Sequence, residues 1–232
     1  MSKIDGAELD WLPWLLQTAD ALFPTGAYAH SLGFEESVRL AMVRDEASLA
    51  TFLRRQIIPA QRQQELPYLR FAYEAPNLVD RCAVDREISA WKLARETRDA
   101  SAQLGSRRLK ALRAISSHPQ LAEFEVAIQA GQASSHHLVV CALQARVEGL
   151  PLNAALTTYF YQSLAAICAA AMKLIRIGQD GCQRVLRTAC VEAKQVVEMS
   201  LTVQREDAGC FNPLLEIASM RHERAGERLF IS

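Results

Sequence analysis

His137 and Cys141 are the pair of side chains in this sequence best suited, by type and spacing, to hold a soft metal ion. They are four residues apart, so on a helix they lie on one face, whereas the neighbouring His136 points about 100° away. Two ligands do not complete a metal site. A capping or solvent-facing histidine above a buried cysteine is the commoner arrangement, and we give it the greater weight.

The dipeptide His222-Glu223 matches the first two residues of the zinc-protease motif His-Glu-x-x-His. That motif needs a second histidine one turn later, where this chain has Gly226. We therefore expect no tightly bound cofactor or metal. If weak binding occurs, the residues to mutate first are His30, His136, His137 and His222.

The segment Gly178-Gln179-Asp180-Gly181 is the nearest approach to a phosphate-binding loop, but no lysine follows it to reach a phosphate. We interpret it as a turn that caps a helix. No nucleophile, base and orienting carboxylate can be assembled from the other polar residues. The sequence therefore favours a protein that is not an enzyme, and the alternative is a helical enzyme with a pocket around His30, Glu35 and Arg98.

The chain of 232 residues has 26 basic and 26 acidic side chains, so no net charge attracts it to nucleic acid or to an anionic membrane. Basic residues gather between Arg86 and Arg113, where acidic residues are interspersed among them. No aromatic residue alternates with the arginines from Arg95 onward. We interpret this region as a solvated helix face, with an electropositive docking surface as the alternative and nucleic acid as the least favoured partner.

The six cysteines include no Cys-x-x-Cys pair, which is typical of reduced thiols in a cytoplasmic protein. The N-terminus is acidic and lacks the basic start and apolar core of a secretory signal. Residues 149–172 carry no charge and are long enough to span a bilayer, but the first half of this stretch is too polar. We expect a cytoplasmic protein in which the stretch forms a buried central helix.

Apolar residues recur with helical spacing along the whole chain, and no stretch sustains the alternation of a strand. Leu49 and Phe52, for example, follow Asp45, a residue suited to cap a helix. One helix is expected from about Asp180 to Val203, and the loops are short. These patterns predict an all-α fold in which residues 1–232 form a single domain, a bundle of roughly ten helices.

The C-terminal segment is unusually apolar for a chain end, because Leu229, Phe230 and Ile231 follow a charged run that begins at Arg221. Burying one leucine or phenylalanine side chain contributes ~1.5–3 kcal/mol. The segment is therefore expected either to pack on the protein's own core or to dock into another protein. The sequence does not choose between the two.

Three separated segments carry signatures that occur in one family in the same order. The segments are Phe23-Pro24-Thr25-Gly26-Ala27-Tyr28-Ala29-His30-Ser31-Leu32-Gly33-Phe34-Glu35, then Lys173-Leu174-Ile175-Arg176-Ile177-Gly178-Gln179, and finally Arg221-His222-Glu223 with the closing Arg228-Leu229-Phe230-Ile231-Ser232. They resemble the UreF family of urease accessory proteins, and Glu96-Thr97-Arg98 adds a weaker match. The resemblance spans the chain from about Leu12 to Ser232.

This resemblance implies an all-helical homodimer that is not itself an enzyme. It would join UreD, called UreH in some organisms, and the GTPase UreG on the urease apoenzyme, and would modulate GTP hydrolysis while nickel is inserted. Nickel would contact the chain only transiently. The residues assigned by resemblance to partner binding are Tyr28, His30, Ser31, Glu35, Arg98, Gln179, His222, Glu223, Arg228, Leu229 and Phe230, and those assigned to the structure of the motifs are Pro24, Gly26, Gly33 and Gly178.

Overall fold

The computed structural model describes residues 7–26, 31, 33–210, 212–226 and 228–231, and this part of the chain forms eleven helices and no strand. The predicted all-α fold is therefore confirmed. The helices are α1 (Ala7–Ala19), α2 (Phe34–Arg39), α3 (46–74), α4 (Leu78–Trp91), α5 (Arg95–Ile115), α6 (Pro119–Gln129), α7 (His137–Val147), α8 (Leu152–Leu174), α9 (Gln179–Cys190), α10 (Ala193–Thr202) and α11 (Pro213–His222).

Asparagine and aspartate side chains begin several of these helices. Asp45 caps α3 as predicted: its carboxylate accepts a hydrogen bond from the Ser48 backbone N–H at 2.9 Å, and the Ser48 hydroxyl accepts one from the Asp45 N–H at 3.0 Å. Asn77 and Asn212 cap α4 and α11 through their side-chain oxygens. These caps satisfy backbone donors that have no partner within the helix.

The long helix α3 contains two π-helical turns, Leu53–Ile57 and Gln61–Glu65, which the sequence did not predict. The proline ring clashes with the carbonyl four residues earlier in a regular α-helix. Each π turn ends two residues before such a proline, Pro59 and Pro67 respectively. The wider turns let the chain continue as one helix through both prolines.

Two helices replace the single one expected from Asp180 to Val203. The chain turns at residues 191–192, between α9 and α10. α9 packs on the first part of α3, Glu46–Phe52, whereas α10 packs on its later parts, Gln61–Glu65 and Leu66–Glu74. The break lets one stretch of the chain cover two separate regions of α3, and the local sequence does not show that it must do so.

α8 is central to the bundle. By length and composition it is the one helix among the described residues that could cross a membrane. It packs against α2, α3, α7, α9 and α10, and its residues Leu156, Phe160 and Leu164 are completely buried. Its opposite side is exposed at Tyr161 and Met172. The expected central helix is thus present, with one uncharged face left uncovered.

Gly105 lies where α5 packs closely against the start of α7. A Cβ atom at this glycine would lie 1.8 Å from the Ser135 carbonyl oxygen and 2.9 Å from the His136 carbonyl carbon. The Ser135 backbone has a φ of 61°, in the left-handed region. Buried Asp85 accepts hydrogen bonds from the backbone N–H groups of Ser134 and His136 in this turn. The Asp85 carboxylate therefore fixes this turn, and the turn leaves no room for a side chain at position 105.

Candidate functional site

The imidazole of His222, the last residue of α11, is completely buried between two glutamates. Its Nε2 atom lies 3.0 Å from Oε2 of Glu35, in the first turn of α2. Its Nδ1 atom lies 2.9 and 3.0 Å from the two carboxylate oxygens of Glu96, in the first turn of α5. Three helix ends that are distant in sequence therefore meet at one histidine.

Both ring nitrogens of His222 face carboxylate oxygens, which accept but do not donate when ionised. The imidazole ring therefore connects the carboxylates of Glu35 and Glu96. Arg228 adds a cation whose Nη1 atom lies 3.0 Å from Glu96 Oε1. We call these four residues, His222, Glu35, Glu96 and Arg228, the histidine–glutamate cluster.

The histidine–glutamate cluster fixes the C-terminal segment. Glu35 Oε1 accepts a hydrogen bond from the Leu229 backbone N–H at 2.9 Å, and Glu35 Oε2 accepts one from Phe230 at 3.0 Å. The Phe230 side chain is 5% exposed and joins the hydrophobic core, with the Lys173 ammonium 5.1 Å from its ring centroid. Leu229 and Ile231 are 61% and 57% exposed. The segment thus packs on its own core through Phe230 and presents its other two apolar side chains outward.

Burial of Glu35 acts to raise its pKa. The backbone N–H of Leu229, the side chain of His222 and the backbone N–H of Phe230 outweigh that effect, so the pKa of Glu35 is lowered. The folded state is therefore stabilised by the ionised carboxylate above the ordinary Glu pKa near 4.5, and this contribution is lost as the pH falls below it. The C-terminal segment is therefore bound to the ionised Glu35 carboxylate throughout the neutral pH range.

Further contacts bind α11 to the same two helix starts. Glu216 accepts a hydrogen bond at 3.0 Å from the N–H of Ala94, the residue that precedes α5. Arg95 pairs with Glu223 at the surface, and the exposed side chain of Arg221 pairs with buried Glu36 at 2.8 Å. Ion pairs in which the arginine stays exposed to solvent contribute about 1 kcal/mol or less each. The buried contacts of the histidine–glutamate cluster therefore dominate the junction.

Gly33 allows α2 and α11 to approach each other. It has a φ of 83°, and a Cβ atom there would lie 2.5 Å from the Ser219 hydroxyl oxygen. Gly26 also has a positive φ, of 76°, and the Arg107 guanidinium covers it. Ser31 is buried, and its hydroxyl oxygen accepts a 3.4 Å hydrogen bond from the Glu35 N–H. A side chain at Gly26 or Gly33 would therefore be strained by the backbone and would meet a neighbouring side chain.

The other residues selected by resemblance lie apart from the cluster. Arg98 donates to the Lys92 carbonyl oxygen at 2.9 Å. Exposed Gln179 begins α9, and Gly178 before it has an extended backbone that does not need glycine. Pro24 is exposed. Tyr28 and His30 lie outside the described residues.

The enzyme alternative required Glu35 and Arg98 to share a pocket with His30. Both oxygens of Glu35 are occupied by His222 and the C-terminal segment. A cavity of about 170 Å³ lies nearby between α2, α3, α8 and α11, but neither Glu35 nor Arg98 lines it. The described part of the chain therefore does not form the proposed pocket, because Glu35 is directed into a structural contact.

The candidate metal ligands that the structure describes are dispersed. His136 is completely buried, and its ring nitrogens lie 3.1 Å from Ser101 Oγ and 2.8 Å from Ser89 Oγ. The His137 Nε2 atom lies 3.5 Å from Cys141 Sγ, so the predicted pair does share a helix face. Within the described ranges no three His, Cys, Asp or Glu side chains are arranged to hold one metal ion.

Burial lowers the pKa of His136 to about 3, and the nearby charges of Lys92 and Arg98 act in the same direction. The unfolded chain takes up a proton near the ordinary pKa of 6.5, whereas the folded protein keeps this ring neutral until about pH 3. The free energy of unfolding is therefore expected to decrease as the pH is lowered from 6.5 to about 3, by at most about 1.4 kcal/mol per pH unit. Burial also raises the pKa of Asp85, which opposes part of this slope.

Urea denaturation of the wild type and His136→Asn at pH 6.5, 5.5 and 4.5 tests this expectation. The wild type should lose about 1 kcal/mol per pH unit, and the variant should show a flatter slope. Equal slopes in the two proteins would mean that His136 is not the group that resists protonation.

α11 carries apolar side chains on its outer side, which its role at the junction does not require. Ala218 and Ser219 face the interior, whereas Leu214 and Ile217 are 50% and 51% exposed and Met220 is also exposed. The spacing of these three side chains places them on one outer face of the helix. Apolar residues on the outside of a short surface helix are typical of a binding surface. We call Leu214, Ile217 and Met220 the α11 face.

Sequence reasoning missed several residues that build this site. Glu96 stood out only as part of a weak motif, because a charged residue in the first turn of a helix usually faces solvent. Arg95, Glu36 and Glu216 gave no stronger signal, for the same reason. Only the position of His222 relative to α2 and α5 distinguishes the buried glutamates from the exposed ones.

Comparisons with known proteins agree with the sequence motifs. A family model described as UreF matches residues 43–190. The urease accessory protein UreF of Arthrobacter sp. (strain FB24) is 35% identical over 223 residues, which cover 94% of this chain and 96% of the relative. Its counterpart in Paenarthrobacter aurescens (strain TC1) is 36% identical over 223 residues with the same coverage. That of Actinobacillus pleuropneumoniae is 30% identical over 221 residues, covering 94% and 97%. The chain belongs to the UreF family of urease accessory proteins.

Proposed function

We propose that this protein is a cytoplasmic, non-enzymatic adaptor that bridges UreD (UreH) and the GTPase UreG on the urease apoenzyme, so that nickel can be inserted into the urease active site. Modulation of GTP hydrolysis by UreG is part of the proposal. Family membership supports the general role in urease maturation. The specific partners are inferred from the resemblance described above.

The observation that carries the adaptor role is the α11 face together with the exposed side chains of Leu229 and Ile231. Both surfaces are joined to the same buried anchor, since α11 ends in His222 and the C-terminal segment binds Glu35. A partner that docks at this surface meets apolar groups held by a rigid core, which lowers the entropy lost on binding. We assign this surface to the UreD or UreG contact.

We also propose a homodimer. The exposed side of α8 carries Tyr161, Ala166, Ala169 and Met172 and no charged residue before Lys173. Small side chains allow a second helix to approach closely, and an uncharged face has no ion to desolvate. A second copy of this chain is the occupant that we infer for this face.

Nickel is the cargo of the proposed complex, not a resident cofactor of this chain. His136 and His137 are engaged with serine and cysteine side chains, His118 accepts a hydrogen bond from the Gln120 backbone N–H, and His222 is closed off by its two carboxylates. We infer that any contact between nickel and this chain is transient. His30, His136, His137 and His222 remain the residues to test if weak binding is detected.

The adaptor role is tested by the double variant Leu214→Asp, Ile217→Asp. Copurification with UreD and UreG is expected to fall at least about tenfold, because charging the face prevents burial of two side chains that contribute ~1.5–3 kcal/mol each. Urease activation in a reconstituted mixture with nickel should fall in parallel. The melting temperature of the isolated variant should stay close to that of the wild type, since both side chains are half exposed.

Val126→Asp is the matched control, because Val126 is an apolar residue of α6 that is 62% exposed. It should retain both partners and full activation. If the double variant still captures both partners, or if Val126→Asp loses them equally, the α11 face is not the docking surface. Activity of the isolated protein on a small molecule would instead favour the enzyme alternative.

A further inference from the structure

A buried arginine without a carboxylate partner lies at the junction of α1, α5 and α7. Arg108 is 6% exposed. Its Nε donates to the Gln144 side-chain oxygen at 2.8 Å and its Nη2 donates to the Thr18 carbonyl at 3.3 Å, while the Phe23 ring lies 5.3 Å from its guanidinium carbon. Among the described residues no acidic side chain pairs with it. A full positive charge is therefore buried against neutral groups.

The neutral contacts compensate this charge only in part. Thr18 lies in the last turn of α1, and a helix C-terminus is equivalent to about half a negative charge. Taking an unpaired ion out of water costs several kcal/mol, so buried charges are normally paired. The thiol of Cys141 does not supply the missing anion, because burial raises its pKa although Arg108 acts to lower it. At neutral pH that thiol is protonated.

Arg108 lines a half-open cavity of about 20 Å³, which has room for one water-sized particle and is too small to enclose a carboxylate or phosphate. Thr158 and Gln162 also line it. The amide of Gln162 donates one hydrogen to the Ala19 carbonyl at 3.1 Å and has a second to offer, and the Thr158 hydroxyl makes no hydrogen bond within the described residues. No acidic residue lines the cavity. Its wall thus offers hydrogen-bond donors and a net charge of one positive unit.

We propose that this cavity is a binding site for a monovalent, monatomic anion of the halide class, chloride under ordinary conditions. The anion pairs with Arg108 and accepts hydrogens from Thr158 and Gln162. Because Arg108 and Gln162 also hold the carbonyls of Thr18 and Ala19, the anion stabilises the attachment of the C-terminal end of α1 to the bundle. The site is separate from the histidine–glutamate cluster and from the α11 face.

The test compares thermal unfolding of the full chain in sodium chloride and in sodium gluconate at equal ionic strength and pH. Gluconate is too large for the cavity. Chloride is expected to raise the melting temperature saturably, by about 5 °C once the site is filled. The rise should disappear in Arg108→Gln and persist in Arg107→Gln, the matched control, since Arg107 is the exposed neighbour on α5. Thr158→Val, which should weaken the rise, replaces Arg108→Gln if that variant does not fold.

Crystals of the wild type grown in bromide provide an independent measurement. An anomalous scattering peak beside the Arg108 guanidinium is the expected result. Density at this position without anomalous signal, together with equal melting temperatures in chloride and gluconate, would show that the cavity holds only a water molecule and would overturn the proposal. A chloride effect that is the same in Arg107→Gln and Arg108→Gln would overturn it too, because it would be a general salt effect.

Discussion

Gly105→Ala is expected to destabilise the folded protein by about 3 kcal/mol or more, although alanine favours a helix over glycine by about 1 kcal/mol. The added methyl group would lie 1.8 Å from the Ser135 carbonyl oxygen, a backbone atom that cannot rotate away. To relieve the contact, α5 and the start of α7 must separate. That movement would also disturb the hydrogen bonds from the Ser134 and His136 backbone to Asp85.

Gly181→Ala is the matched control, because Gly181 is also a helical glycine and lies in α9. A Cβ atom there would lie 2.9 Å from Ile177 Cγ1 and 3.0 Å from Glu46 Oε2, both on flexible side chains. Its free energy of unfolding should stay within about 1 kcal/mol of the wild type. Urea denaturation of both variants gives the comparison. Similar small changes in the two would mean that α5 and α7 are not tightly held at Gly105.

Glu35→Ala is expected to cost about 3–5 kcal/mol of stability and to release the C-terminal segment. The substitution leaves one ring nitrogen of buried His222 without its partner and removes the acceptor of the Leu229 and Phe230 backbone N–H groups. Amide hydrogen exchange at Phe230 should become fast, because its protecting partner is lost. Copurification with UreD and UreG should also fall, since Leu229 and Ile231 are no longer held in place.

Glu36→Ala is the control for this prediction, because Glu36 is the adjacent buried glutamate of α2. Its partners Arg39 and Arg221 are both more than half exposed and regain water when it is removed, so the expected loss is about 1 kcal/mol. If Glu36→Ala destabilises the protein as much as Glu35→Ala, or if Phe230 remains protected in Glu35→Ala, then Glu35 is not the anchor of the segment.

Local patterns decided those features of this protein that depend on neighbours along the chain. The spacing of apolar residues predicted helices throughout, and Asp45 was identified as a cap because it directly precedes the helically spaced Leu49 and Phe52. The family also followed from the sequence, since short motifs at both ends and in the middle of the chain retain their order. None of these inferences needs to know which helix packs against which.

The tertiary structure decided whatever depends on contacts between distant segments. Glu35, Glu96 and His222 are up to 187 residues apart, and nothing in their local sequence shows that the two carboxylates share one imidazole. The same holds for the C-terminal segment: three similar apolar residues stand in a row, yet Phe230 enters the core while Leu229 and Ile231 face outward. Burial is set by the elements that surround a side chain, and the local sequence does not specify those elements.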